Sequence, residues 1–357
     1  MSIKSAALDA VNSLTFWFKR KPLDYYRRAA FMRLVRAYFS HVVPAVRRFL
    51  PLYGAAAVIL LTYRCQCRCR HCGIDFYKKE KDKELSHAEL LKLIEDLGAL
   101  ACQEVHLFGG EPLIYPDLPA LVRHTRKNSM KSTLDTNGLL LDEPMLLSLK
   151  EAGIDQIGVS LDSPIPEKHD EIRAMPGLFA KAVEGVRLCV RHGIPCYIST
   201  VATKENLRND EMRDMLRLAE SLGTKVRILA PIRSGKWWDR KDIPLTMEEL
   251  GLLHSLLSKE RAFRSADYLS SPDIPYLCGA KLRNQFAISA YGDVMPCCYL
   301  PLSFGNVRTE ALKPIVRRLW AAKLFPGHTT SHDCPLNDEC MHEHYADRIK
   351  AQSHIAI

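Results

Sequence analysis

From residue 55 onward, short apolar runs alternate with longer stretches in which apolar side chains recur every three or four positions. The runs are 55–61 and those near 104–108, 131–135, 156–161, 195–201 and 225–230, each short enough to be a buried strand. The periodic stretches lie near 86–99, 117–128, 142–152, 178–191 and 209–222 and predict helices. Alternation of this kind implies parallel strands joined by right-handed helical crossovers, and six such units predict a partial (β/α)6 barrel of the TIM-like α/β class. The run Ala55 to Leu61 is far short of the ~20 apolar residues that a membrane-spanning helix needs.

The flanks have other patterns. Residues 1–55 predict a helical extension broken by Pro22, Pro44 and Pro51, with Leu23, Tyr26, Ala30, Leu34 and Tyr38 on one helical row. Residues 1–50 hold ten Lys or Arg against Asp9 and Asp24, while the other 307 hold 40 basic and 39 acidic side chains, so the net charge of +9 belongs to the N-terminus. A basic, aromatic, amphipathic segment suits an anionic membrane surface, and a helical cap packed on the barrel suits the same residues. Residues 56–232 form the predicted barrel and 233–274 a helical linker, with a capping-box pattern from Thr246 to Glu249. Within the linker, Trp237 and Trp238 are expected to pack a junction rather than to close over a ligand. Twelve cysteines without a cleavable signal sequence fit reduced thiols in the cytoplasm, with a peripheral place at the inner membrane face if the N-terminus binds lipid.

The candidate chemistry starts at the end of the first strand. Cys65, Cys69 and Cys72 are separated by three and then two residues, so three thiolates from one loop can meet one metal centre. A four-iron cluster held by three thiolates keeps one iron open. A zinc site that also takes Cys67 is the other reading, although the second ligand pair of a zinc finger is missing. The turn Gly109-Gly110-Glu111-Pro112, the pair Thr136-Asn137, Ser160 and Asp162 follow predicted strands, and in parallel barrels ligand loops share the mouth at the strands' carboxyl ends.

The motifs together, with His169 to Arg173 further on, resemble those of radical S-adenosylmethionine (SAM) enzymes, in the subfamily that carries a C-terminal SPASM or twitch cluster domain. The resemblance covers about residues 56–345 and implies that Cys65, Cys69 and Cys72 hold a [4Fe-4S] cluster whose open iron binds SAM. It implies that Gly109, Gly110, Glu111 and Pro112 bind the SAM amino group. Ser160 and Arg173 become candidates for its carboxylate, and Thr136 and Asn137 for the ribose. His71 stands where the family usually has an aromatic ring, over the cluster and adenine edge. Cys67 is out of register and is expected to be a free thiol. Residues 275–357 look like a reduced auxiliary cluster domain, in which Cys278, Cys297, Cys334 and Cys340 would hold one auxiliary iron-sulfur cluster, or alternatively zinc. Cys298 stands where sulfatase-maturing relatives have a catalytic aspartate, and it becomes the candidate catalytic residue.

The implied activity is reductive cleavage of SAM to a 5′-deoxyadenosyl radical, which takes a hydrogen atom from the substrate. The expected substrate is a peptide or protein side chain, despite the lack of a legible peptide-recruitment module. A lipid or other membrane-associated small molecule is the alternative, and a non-catalytic metal-binding protein a third. The expected partners are a reducing protein such as flavodoxin or ferredoxin and the peptide or small-molecule substrate, with residues 1–50 against an anionic membrane surface; no nucleic acid is expected.

Overall fold

A computed structural model describes Val46 and residues 50–74, 77, 83–257, 262–264, 278–325, 334–351 and 355–356. The chain divides into two compact units, residues 1–49 and 50–357. The expected N-terminal helices lie outside the described residues, and so does their membrane role.

In the second unit the six predicted strands are β1 (Ala56–Leu60), β2 (Glu104–Phe108), β3 (Lys131–Thr136), β4 (Gln156–Ser160), β5 (Cys196–Val201) and β6 (Lys225–Leu229). They lie side by side in chain order and pair in parallel, as strands linked by helical crossovers must. Between them run helices α1 (His87–Ala99), α2 (Leu118–Lys127), α3 (Glu143–Ala152), α4 (Pro166–Arg173), α5 (Leu178–Arg191), α6 (Lys204–Arg208) and α7 (Glu211–Ser221). Caps fix where several begin and end: Ser86 and Glu89 form a capping box on α1, and Gly153 ends α3 with φ 90° in the left-handed region. Alternate strand residues such as Val105, Leu107, Ile157, Val159, Ile198, Val226 and Ile228 turn outward and are buried under the helices with Leu90, Ile94, Leu97, Leu121 and Leu149.

The sheet is wider than the six predicted units. After α8 (Met247–Leu256), β7 (Ala262–Arg264) pairs with β6, so the expected linker supplies an edge strand. On the far side β8 (Gln285–Ile288) runs parallel to β1, from Ala56 beside Gln285 to Ile59 beside Ile288. β9 (Val294–Met295) turns back on it. The nine-stranded sheet is thus unclosed, ending in β7 and β9, and the tail completes the otherwise open edge of β1.

Beyond β9 come β10 (Leu302–Ser303), α9 (Leu312–Ala321), α10 (Glu339–Ala351) and β11 (Ile355–Ala356), the last paired with β10. The tail is tied back to residues 231–238. Arg233 N donates to Asn337 Oδ1 at 2.9 Å, and Asn337 Nδ2 donates to the Pro231 carbonyl at 2.9 Å. Arg233 also pairs with Glu339 at 2.7 Å. Trp238 is buried, with its ring 4.1 Å from that of His342, so it packs the junction as expected. Trp237 turns the other way, toward His71.

Because β8 covers an edge of β1 that would otherwise expose unpaired backbone groups, a chain cut after residue 277 should aggregate or unfold. Size-exclusion chromatography of the truncated protein checks this; a monomer that unfolds cooperatively would contradict it.

Candidate functional site

The cysteine loop leaves β1 and is gripped from three sides. Gly110 N donates to the Thr62 carbonyl at 2.7 Å, and Glu111 N to the Arg64 carbonyl at 2.9 Å. A Cβ at Gly109 would lie 2.4 Å from the Thr62 oxygen and one at Gly110 2.2 Å from the Arg64 oxygen, while Gly109 has φ 136°. The glycine pair therefore makes room for the cysteine loop's own backbone, in addition to the close ligand approach expected of it. From the second side Arg68 N and Arg70 N each donate at 3.0 Å to carbonyls of Arg173 and Ile172, at the end of α4. From the third, Lys236 N donates to the Cys72 carbonyl at 3.0 Å and its ammonium to the Cys69 carbonyl at 3.1 Å.

Glu111 is fully buried, and its carboxylate ties the ends of β2 and β3 together. Oε1 accepts from Thr136 Oγ1 at 2.7 Å and from Leu113 N at 3.0 Å, and Oε2 accepts from Asn137 N at 2.7 Å. Burial pushes its pKa up, while these three donors pull against that. Pro112 opens the short turn 112–114 that Glu111 caps. Asn137 then reaches the loop itself, with Nδ2 3.4 Å from Gln66 Oε1 and 3.8 Å from Cys65 Sγ.

The thiols fall into two groups. Cys67 is a free thiol, only 8% exposed, between Cys65 and Cys69 in the loop. The Cys67 thiol holds the Cys69 pKa down at about 7, against burial, and the Arg173 guanidinium adds to the effect. Cys72 packs with Phe108 and Cys298 against Val58, Leu60, Tyr63 and Met295, on the inner face of the sheet. Among the described residues no three His, Cys, Asp or Glu side chains converge on a single ion; a four-iron cluster makes a different demand, one thiolate on each of several irons. Soft sulfur donors, a cation beside them and a thiol biased toward thiolate fit that cluster.

Asp162 organises the rim. Its Oδ2 lies 2.8 Å from Arg173 Nε and 3.5 Å from His71 Nε2, and its N–H donates to His169 Nδ1 at 3.1 Å. Burial would raise the Asp162 pKa, but Arg173 and the two histidines outweigh it and hold it at about 2. Arg173, expected at the SAM carboxylate, thus spends its Nε on Asp162. Burial pushes the His71 pKa down, and its ring lies 5.7 Å from that of Trp237. Both rings line a small pocket with Asp162, Ile172, Thr203 and Glu205. Ser160 is half-buried at the end of β4.

Within the barrel lies a polar cluster that the sequence reading missed. Arg227 NH2 is 2.6 Å from Asp135 Oδ2, Arg227 NH1 2.7 Å from the Tyr197 hydroxyl, and that hydroxyl donates to Asp135 Oδ1 at 2.8 Å. His106 Nε2 sits 2.8 Å from Asp135 Oδ2. Gly158 leaves the space, since a Cβ there would meet Asp135 Oδ1 at 2.1 Å. A charged residue within each strand, Asp135 in β3 and Arg227 in β6, was the available signal.

The tail brings Cys298 and Tyr299 toward this cluster. Both are affected electrostatically by Asp135 and Arg227, and burial pushes the thiol and the phenol well up. Tyr299 also packs on Gly73, directly after Cys72. Burial, with Cys278 adding to it, pushes the Cys297 thiol up to about 12. Cys334 precedes the turn 335–337, and Cys340 is exposed in the first turn of α10.

Comparison with known proteins follows this geometry. Residues 59–219 match the Radical SAM superfamily and 278–342 the SPASM iron-sulfur cluster-binding domain. The PqqA peptide cyclase of Gluconobacter oxydans is 31% identical over 278 residues, covering 74% of this chain and 77% of that one. The chain belongs to the radical SAM superfamily, in its SPASM branch. It is therefore an enzyme that uses SAM and iron-sulfur clusters. The Fe-coproporphyrin III synthase of Methanosarcina barkeri is 37% identical over 149 residues, a match spanning 42% of this chain and 37% of that protein. In fold, the chain is similar to SuiB of Streptococcus suis bound to its precursor peptide SuiA, with a TM-score of 0.60 at 15% identity over 87% of this chain and 72% of that one.

His169 supplies a test of the rim. Its Nδ1 must stay unprotonated to accept from Asp162, and burial together with Arg173 holds its pKa near 4. The unfolded chain, with an ordinary histidine pKa of about 6.5, then binds more protons below that pH. Stability should fall by about 2 kcal/mol between pH 7 and 5 on account of this residue. Denaturant titrations of wild type and His169→Gln check this: the glutamine variant, whose carbonyl can accept the same N–H, should show a flatter profile, and equal slopes would contradict the assignment.

Proposed function

We propose that this radical SAM enzyme modifies a peptide or protein side chain held in the barrel between the cysteine loop and the Cys298–Tyr299 turn. The observation that carries the reading is the extent of similarity to a peptide cyclase, over three quarters of both chains. Two features fit it. The sheet is open between β7 and β9, which suits an extended chain better than a sealed chamber does. The inner face presents the part-exposed Phe108 beside the charge-balanced Asp135 and Arg227, a lining for a side chain with a polar end.

In this reading Cys65, Cys69 and Cys72 hold the cluster that binds SAM. Gly109 to Pro112, Thr136, Asn137, Ser160 and Arg173 bind SAM itself, with His71 and Trp237 beside the pocket on the Asp162 side. Bound SAM and the reduced cluster supply a carbon radical that takes hydrogen from the substrate. Cys278, Cys297, Cys334 and Cys340 hold one auxiliary cluster, and a flavodoxin or ferredoxin delivers the electrons. Cys298 packs against the same apolar cluster as Cys72, which supports a role for its thiol next to the substrate in this reading. A tetrapyrrole is the second reading, favoured by the partial match to the coproporphyrin synthase.

Peptide-level mass spectrometry of cells with and without the protein tests the substrate class: a peptide that changes mass or mobility only when the enzyme is present supports the reading, and a changed tetrapyrrole pool with an unchanged peptidome overturns it. With the substrate in hand, Cys298→Ser should keep both clusters and cleave SAM but form about a hundredth or less of the product, the scale on which losing one positioned donor acts. Unchanged product formation would reduce Cys298 to packing.

A further inference from the structure

The short turn Gly235–Trp237 meets the cysteine loop at each of its residues. Gly235, with φ 54°, has no room for a side chain, since a Cβ there would lie 2.2 Å from the Cys72 carbonyl oxygen. Lys236 N donates to that same oxygen at 3.0 Å, and the Trp237 ring faces His71. Just before the turn, Ser234 Oγ donates to the Gly73 carbonyl at 2.9 Å. From the other side the tail holds the segment, through Glu339 on Arg233, Asn337 on Pro231 and Arg233, and His342 on Trp238. These contacts already seat the turn on the loop. The Lys236 ammonium reaches further, 3.1 Å from the Cys69 carbonyl oxygen and 3.4 Å from that of Arg68. A neutral amide can donate to a carbonyl just as an ammonium can; what lysine adds is a full positive charge.

We propose that Lys236 is a positioning residue whose charge raises the reduction potential of the cluster on Cys65, Cys69 and Cys72, and so eases the one-electron reduction that SAM cleavage needs. The proposal rests on the reading of these three cysteines as cluster ligands. Three thiolates gather negative charge in one loop, and reduction adds one more. A cation bonded to carbonyls of that loop therefore favours the reduced form over the oxidised one, and net charge is among the quantities that set such potentials. The bonds of Lys236 to carbonyl oxygens do not cancel its charge. Arg173, a second cation near the loop, is instead balanced by Asp162 at 2.8 Å. No bond forms or breaks in this role: a protein carrier, or dithionite in vitro, gives up the one electron that the cluster gains.

Potentiometric titration of the anaerobically reconstituted full-length enzyme, followed by the electron paramagnetic resonance signal of the reduced cluster, tests this. The auxiliary-cluster signal is subtracted with the variant in which Cys65, Cys69 and Cys72 are all alanine. Lys236→Met should keep its iron but hold about tenfold less reduced cluster at a given potential, equivalent to ~59 mV for one electron. Lys236→Arg should stay at the wild-type value. Lys236 is exposed, so the gap between wild type and Lys236→Met should narrow in high salt, where charge is screened over less than the roughly 10 Å that holds at 0.1 M. A role confined to hydrogen bonding would leave the gap unchanged. Equal potentials in wild type and Lys236→Met, a gap indifferent to salt, or an arginine variant as low as the methionine one overturns the proposal. If Lys236→Met loses its iron, Lys236→Gln, whose amide can still donate to loop carbonyls, takes its place in the same comparison. A triple-alanine variant with the iron content and signal of the wild type would instead remove the three-cysteine reading on which the proposal rests.

Discussion

The site depends on the contact between two backbones, residues 62–64 at the end of β1 and residues 109–111 at the end of β2. Two hydrogen bonds join them, and no side chain fits at Gly109 or Gly110 while they stand. Glu111 extends the contact to β3 through Thr136 and Asn137, so three strand ends and the first cysteine are fixed as one piece. A carboxylate with three donors in a fully buried place is costly to form and costly to disturb, which makes this piece rigid. The rest of the cysteine loop then needs only the carbonyls at the end of α4 and the reach of Lys236 to be held in place.

The same economy holds inside the barrel. Asp135 and Arg227 come from β3 and β6, distant in sequence and on non-adjacent strands, and they neutralise one another where neither charge alone would be tolerated. Tyr197 and Gly158 belong to the strands between them and complete the arrangement, one by bonding both partners and the other by making room. The Cys298–Tyr299 turn faces this balanced pair from the tail. The tail is thus a structural part of the site twice over, through that turn and through the pairing of β8 with β1.

The strands, the parallel order and the loops at one mouth were legible because each depends on local pattern: apolar runs, helical periodicity and turn residues directly after strands. What was not legible depends on contacts between distant residues. Nothing near Gln285–Ile288 says that its partner is β1, more than two hundred residues earlier. That Arg227 and Asp135 pair shows only once the sheet brings β3 and β6 together. The glycine pair was expected to let SAM approach closely, and the group that the fold brings against it, a carbonyl of the cysteine loop, is visible only in the fold. Trp237 and Trp238, read as a pair, separate because successive residues of a turn face different ways.

The central claim is that Cys65, Cys69 and Cys72 form the centre at which SAM is cleaved. The most direct test is to incubate the anaerobically reconstituted, dithionite-reduced enzyme with SAM and measure 5′-deoxyadenosine and methionine, beside a variant with all three cysteines changed to alanine. The account predicts that the wild type forms both products and the variant neither, while the variant keeps the iron of its auxiliary cluster and its fold. SAM cleavage by the triple variant at the wild-type rate would contradict it.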